Sequence, residues 1–94
     1  MIFHHPGRKW KRGRDLFEQD GVQQHVQHYY KLNEEGKLTM GGPFLSNNRG
    51  GMMVASIGVG KEELEEFAAA DPAVKSGLLV FEVLPWYIPM KGKL

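Results

Sequence analysis

Two residues of proton-moving type stand where the local pattern turns them inward. His25 falls inside the apolar stripe of a helical segment, between Val22 and Val26 in sequence and beside Tyr29 in projection. An imidazole turned toward a sheet must find hydrogen-bond partners or lose its charge. That position suits a core histidine satisfied by a carbonyl, and it equally suits an active-site base. Asp71 follows Leu64 by seven positions, which returns it to the apolar face if its helix runs that far. Carboxylates are almost never fully buried without a partner. Asp71 also precedes Pro72, the pattern of a helix N-cap with proline at the first helical position. The two roles are compatible, because a capping carboxylate keeps a second oxygen. If both helices pack on one sheet face, His25 and Asp71 approach each other over it. A carboxylate beside an imidazole fixes its tautomer and raises its basicity, which equips the pair for acid–base chemistry.

Other groups carry weaker signals. His28 lies about 60° further round the helix from His25 and is expected to be solvated. His25 and His28, with His4 and His5 on a strand, could supply nitrogen ligands, but cysteine is absent and no ordered carboxylate motif accompanies them, so no metal is expected. Gly58-Val59-Gly60-Lys61 lacks both the full phosphate-loop spacing and the hydroxyl residue after lysine, and no cofactor motif remains. Met40, Met52 and Met53 read as packing residues.

These groups need elements to place them. Met1 to His5 reads as a short strand stopped by Pro6-Gly7, and residues 6–21 read as a long loop. Loops of this length in compact domains are usually functional or disordered, and Trp10, Leu16 and Phe17 argue that parts of this one pack down. Val22 to Glu35 is helical: Val22, His25, Val26, Tyr29, Leu32 and Asn33 fall within about 120° of arc, with Gly36 following as a C-cap. Lys37 to Phe44 reads as a strand, limited by Pro43 to an edge or a strand end. Leu45 to Gly51, with Asn47-Asn48 and Gly50-Gly51, has hairpin-turn chemistry, and Met52 to Val59 is the next strand. Lys61 to Ala70 is a second helix with Leu64, Phe67 and Ala68 as its stripe. Asp71-Pro72 interrupts it, a short turn runs from Pro72 to Gly77, and Leu78 to Ile88 is the last strand.

The order is β-α-β-β-α-β, the ferredoxin-like α+β pattern: a four-stranded antiparallel sheet with two helices on one face. Apolar positions on both faces of the last strand imply that the open face is also covered, most economically by a second copy of the chain. The pocket between helices and sheet is expected to be lined by Tyr29, Met40 and Phe44, with Trp10 in the long loop as a lid.

Composition narrows the classes. The chain of 94 residues is one domain by size. Hydrophobic residues at 41% and charged residues at 24% match an ordinary globular chain, which excludes disorder throughout. No stretch approaches the ~20 apolar residues of a spanning helix. No charged start leads into an apolar core, so no secretory signal is expected, and without cysteine there is no disulfide framework. A cytoplasmic location is the expectation. The net charge of +1 joins a basic loop, Arg8, Lys9, Lys11, Arg12 and Arg14 with no acid among residues 1–14, to an acidic remainder. Such a loop could meet a polyanion or a small anionic substrate through Arg8 or Lys9, or be simply solvated. The patch is small and the rest of the domain acidic, so nucleic-acid binding is not expected.

Residues 25–38, Gly41-Gly42-Pro43-Phe44, Gly50-Gly51-Met52-Met53-Val54 and Ala70-Asp71-Pro72-Ala73-Val74-Lys75-Ser76-Gly77 together resemble the YciI-like (YCII-related) proteins, and the opening His5-Pro6-Gly7-Arg8-Lys9-Trp10 resembles one branch of them. Each block is short, but their order and spacing are specific. The resemblance implies a ferredoxin-like subunit that dimerises through its sheets, the dimeric α/β-barrel architecture, and a His–Asp dyad. The family's histidine precedes the Gly-Pro pair by about seventeen residues, which selects His25 over His28, and its aspartate is the one in the Asp-Pro step, Asp71. Related barrels act without cofactors on small, often aromatic molecules. The expected function is therefore a small cofactor-independent enzyme, lyase, isomerase or hydrolase-like, with His25 as general base or acid and Asp71 orienting it. The alternative is a non-catalytic ligand-binding or protein-interaction module on the same dimer.

Overall fold

The computed structural model describes residues 1–46 and 48–92. Strand β1 (Ile2–Pro6) leads through a long connection into helix α1 (Val22–Glu34). Strands β2 (Leu38–Pro43) and β3 (Gly51–Ala55) form a hairpin, followed by helices α2 (Lys61–Ala69) and α3 (Pro72–Ser76) and strand β4 (Leu79–Val83). The strands make one sheet in the order β2-β3-β1-β4, with every neighbouring pair antiparallel. This is the ferredoxin-like α+β arrangement, in which each helical crossover leaves a gap that another strand fills.

Period-two alternation decides what each face carries. Ile2 and His4 on β1 stand opposite Met53 and Gly51 on β3, and opposite Val83 and Phe81 on β4, all on the helix side. Two apolar clusters form beneath the helices. One joins Ile2, Tyr29, Leu32, Met53, Leu64, Ala68 and Val83. The other joins Trp10, Leu16, Val22, Ala73, Leu78 and Leu79. The α1 stripe reads as its spacing predicts, with Val22, His25, Tyr29 and Leu32 buried, although Asn33 is exposed. At the β3 entry, a side chain on Gly50 would put Cβ 1.9 Å from the carbonyl oxygen of His4, so only glycine lets the chain pass this close to β1.

The strands are shorter than their apolar runs. The last ends at Val83 instead of Ile88: its pairing with β1 ends at Ile2, and one further bond runs from the Leu84 N–H to the Met1 carbonyl. Pro85 and Pro89 then remove further donors. β3 ends at Ala55 instead of Val59, since β2 begins at Leu38 and the Ser56 N–H closes the pairing on the Lys37 carbonyl. Pro6 extends β1 as its last paired residue, opposite Leu79. Of the Asn47-Asn48 pair expected in the hairpin turn, Asn47 lies outside the described residues.

The connection from 7 to 21 is more ordered than a loop reading implies. The Gly7 and Lys9 N–H groups donate to the Leu78 and Gly77 carbonyls at 2.8 and 2.9 Å. A 3-10 turn at Leu16–Glu18 is capped by the Asp15 side chain. Buried Gln19 accepts from the Lys11 N–H and donates to the Lys11 and Arg14 carbonyls, which closes the segment on itself.

Candidate active site

α1 carries His25 between Val22, which packs in one apolar cluster, and Tyr29, which packs in the other. Asp71 is the N-cap of α3, with Pro72 at the first helical position. Its Oδ1 accepts the Ala73 N–H at 2.9 Å, and its Oδ2 accepts from His25 Nδ1 at 2.5 Å. The capping role and the pairing role are therefore both filled, one by each oxygen. Residues 46 apart in sequence meet because α1 and α3 pack side by side on the sheet.

Burial alone would raise the Asp71 pKa. The His25 hydrogen bond and charge, with the Ala73 N–H, outweigh it and hold the carboxyl below its ordinary value. An ionised carboxylate only accepts, so the His25 proton sits on Nδ1. In the neutral ring Nε2 then holds the lone pair, and it has no hydrogen-bond partner among the described residues. His25 lines a cleft of about 430 Å³ between α1 and the β2 edge of the sheet. Leu16, Phe17, Val26, Tyr29, Tyr30, Leu38, Met40 and Met53 supply its apolar lining, and Gly41, Gly42 and Gly51 also border it from the sheet.

A third buried group was not foreseen in this role. His4 is 1% exposed, its ring standing edge-on to those of His25 and Tyr29 with centroids 4.9 and 5.2 Å away. Its Nε2 lies 3.0 Å from the Tyr29 hydroxyl and 3.9 Å from Asp71 Oδ2, while Nδ1 is buried without a partner. An orphaned N–H is rarer in protein interiors than an orphaned lone pair, so the proton belongs on Nε2, donated to Tyr29. Desolvation, then the neighbouring His25 charge, push the His4 pKa down to about 3, and His4 is neutral at pH 7. Burial, then the Asp71 charge, push the Tyr29 phenol up. The signal for His4 was the alternation of β1, which puts it on the face of Ile2.

His4, His25 and Asp71 together have the donor set of a metal site, each offering a ligand atom within 4.8 Å of the others. The 2.5 Å separation of His25 Nδ1 and Asp71 Oδ2 is that of a short hydrogen bond. Two ligands on one tetrahedral zinc, each bonded at about 2.0–2.1 Å, would stand roughly 3.3 Å apart. The geometry as it stands favours the hydrogen-bonded pair.

Of the four residues expected to line the pocket, Tyr29 and Met40 do so. Trp10 does not. The bonds from Gly7 and Lys9 to the α3–β4 junction draw it into the second apolar cluster, with its indole N–H toward Asn48 Oδ1 at 3.4 Å. Phe44 does not either: Pro43 pairs with Gly51 on the helix side, and Phe44 takes the opposite side of the sheet, its ring 6.2 Å from that of Phe3. Phe17 and Tyr30, both more than half exposed, flank the cleft in their place. His28 is not fully solvated, since Nε2–H donates to the Phe67 carbonyl at 2.6 Å and the ring stacks on that of Phe67. Arg8 lines a separate cavity, away from His25, and among the described residues no lysine or arginine lines the cleft.

No helix among the described residues is long and apolar enough to cross a membrane. Comparison with known protein families matches residues 13–87 to the YCII-related domain. The matched stretch holds His25 and Asp71 and begins after His4, Arg8 and Trp10. No curated protein and no solved structure matches the chain.

Proposed function

The chain belongs to the YCII-related family, and on that premise we propose that it is a small acid–base enzyme that uses His25 and Asp71 on an uncharged or weakly polar small molecule without a cofactor. One observation carries the reading: a buried His25–Asp71 pair whose histidine lines an apolar cleft. Asp71 keeps the imidazole in the Nδ1–H tautomer and stabilises the imidazolium that forms when Nε2 takes a proton. The apolar lining lowers the polarity around the pair and strengthens that interaction. The cleft's described lining is apolar apart from His25, the Tyr29 and Tyr30 hydroxyls and Asn33, which favours an uncharged substrate, and its exposed aromatic rings suit a flat one. Lyase and isomerase steps that begin with removal of a carbon-bound proton need only such a base.

The working unit of this proposal is a dimer joined through the open sheet faces. Met52 and Val54 are half-buried and Val80 is half exposed on the side that no helix covers. A cysteine-free chain of this kind suits the reducing cytoplasm.

A panel of enolisable ketones, lactones and phenols, followed by NMR for solvent-deuterium exchange and for products, tests the chemistry. Turnover that falls 10²–10⁴-fold in His25→Gln, with unchanged folding, is the expected outcome. Turnover indifferent to His25→Gln sinks the dyad. Saturable binding in the cleft with no turnover anywhere in the panel favours the non-catalytic binding module instead.

A further inference from the structure

The arginines form a second feature that the His25 cleft does not use. The chain has four, Arg8, Arg12, Arg14 and Arg49. Among the described residues none lies within 4.0 Å of a carboxylate oxygen, whereas Lys11, Lys37 and Lys61 all do. Unpaired guanidinium groups are ordinary on a surface when scattered. Here three of the four converge. Arg8 and Arg12 line a cavity of about 390 Å³, and Arg49 lines an adjoining one of about 440 Å³. The two share Pro6 and Asn48, neither contains an aspartate or glutamate, and neither shares a residue with the His25 cleft.

The convergence is built into the fold. Asn48 holds a left-handed backbone with φ of 61°, rare outside glycine. Its Oδ1 accepts the Gly13 N–H at 2.9 Å and the Trp10 indole N–H at 3.4 Å. This single side chain thus latches the basic segment to the β2–β3 hairpin, bringing Arg8 and Arg12 to the end of the sheet that carries Arg49. Arg8 is seated by a second device. A Cβ on Gly77 would stand 3.0 Å from Arg8 Nε, so the bare glycine leaves the space across which the arginine side chain lies.

We propose that this arginine-lined end of the sheet is a binding site for the phosphate of a small phosphate monoester, separate from the His25 cleft. Guanidinium groups match phosphate oxygens with paired N–H donors, and three of them balance a dianion better than a single carboxylate. The combined space exceeds a bare phosphate, and Phe44 lines the second lobe against an organic remainder.

The arginine Nε–H resonances of the intact protein, titrated with inorganic phosphate and with phenyl phosphate at fixed ionic strength, test this. The expected result is a saturable shift at Arg8, Arg12 and Arg49. Arg14, which lines neither cavity, serves as the internal control and should stay still. Phenyl phosphate should half-saturate severalfold lower than inorganic phosphate. The Arg12→Gln, Arg49→Gln double variant should weaken binding tenfold or more with its amide spectrum otherwise retained, and His25→Gln should leave binding unchanged. Equal, non-saturating shifts at all four arginines would overturn the proposal, as would saturation unaffected by the double variant. A DNA duplex that moves the same resonances at low salt, and that phenyl phosphate fails to displace, would overturn it in favour of a nucleic-acid surface. Loss of phosphate binding in His25→Gln would show that the two sites are one.

Discussion

His4 and His5 are neighbours on one strand, and their surroundings are opposite. His4 turns to the helix side, loses almost all contact with water, and is held neutral among Tyr29, His25 and Asp71. His5 turns to the open side, half exposed, and donates to Glu82 at 3.0 Å. The difference extends to the two faces of the sheet. The covered face confines one carboxylate, Asp71, inside an apolar interior and satisfies it with His25 and the Ala73 N–H. The open face carries partly exposed apolar residues around an exposed acid–imidazole pair. A charge inside requires donors fixed in advance, whereas a charge outside is served by water. Fixed donors around a buried charge are what proton chemistry needs, so the covered face is suited to reaction and the open face to association.

The largest way to test this contrast is acid. His4 drops from an ordinary 6.5 to about 3 on folding, through burial and the charge of His25, which together outweigh the opposing pull of Asp71. The unfolded chain therefore binds a proton at His4 that the folded chain refuses. Stability contributed by neutral His4 is complete above about pH 6.5 and is lost as pH falls toward 3, by roughly 4–5 kcal/mol in all. Asp71, whose pKa is lowered by folding, adds a further loss below about pH 4. Urea unfolding at pH 7, 5.5 and 4.5 should show the first decline, and His4→Phe should flatten it. A His4→Phe profile as steep as the parent's would break the contrast between the faces.

Next in size is Asp71→Ala, which removes a cap and orphans His25 Nδ1 together, and should cost about 2–4 kcal/mol in urea unfolding at pH 7. Asp71→Asn keeps an acceptor for the Ala73 N–H and should cost less. A loss under about 0.5 kcal/mol in Asp71→Ala, the size typical of plain surface changes, would mean that the buried pair adds nothing to the fold.

On the other face, Val80→Glu should weaken self-association at least tenfold, about 1.4 kcal/mol, by sedimentation equilibrium, while unfolding stays cooperative. Unchanged association would remove the open face as the contact. Smallest is the effect of zinc. One equivalent added to dialysed protein should leave the melting temperature where it was, since their hydrogen bond holds His25 and Asp71 too close for two ligands. A rise of several degrees, the size of a stabilisation of about 1 kcal/mol, would show that the cluster opens to a metal.

Much of this architecture was legible in the chain because its signals are local. The α1 stripe singled out His25, and the Asp-Pro step singled out Asp71 as a cap, since helix periodicity and capping depend on neighbours a few residues away. Strand ends were less legible, because a strand stops where its pairing stops: the last pair of β4 is Val83 with Ile2, 81 residues away. Trp10 and Phe44 were misplaced for the same reason. Trp10 follows bonds from Gly7 and Lys9 to Gly77 and Leu78, and Phe44 follows a register set by Gly51. His4 was overlooked as a member of the cluster because its burial depends on what the helices lay over β1.

By itself, then, the sequence determined the order of elements, the inward face of α1 and the pairing-competent types at positions 25 and 71. Only the tertiary structure decided that His4 and Tyr29 join them, that no lysine or arginine among the described residues lines the cleft, and that three arginines line two adjoining cavities at one end of the sheet. Periodicity and capping act over a few residues. Desolvation and the convergence of charges are sums over segments that only folding brings together.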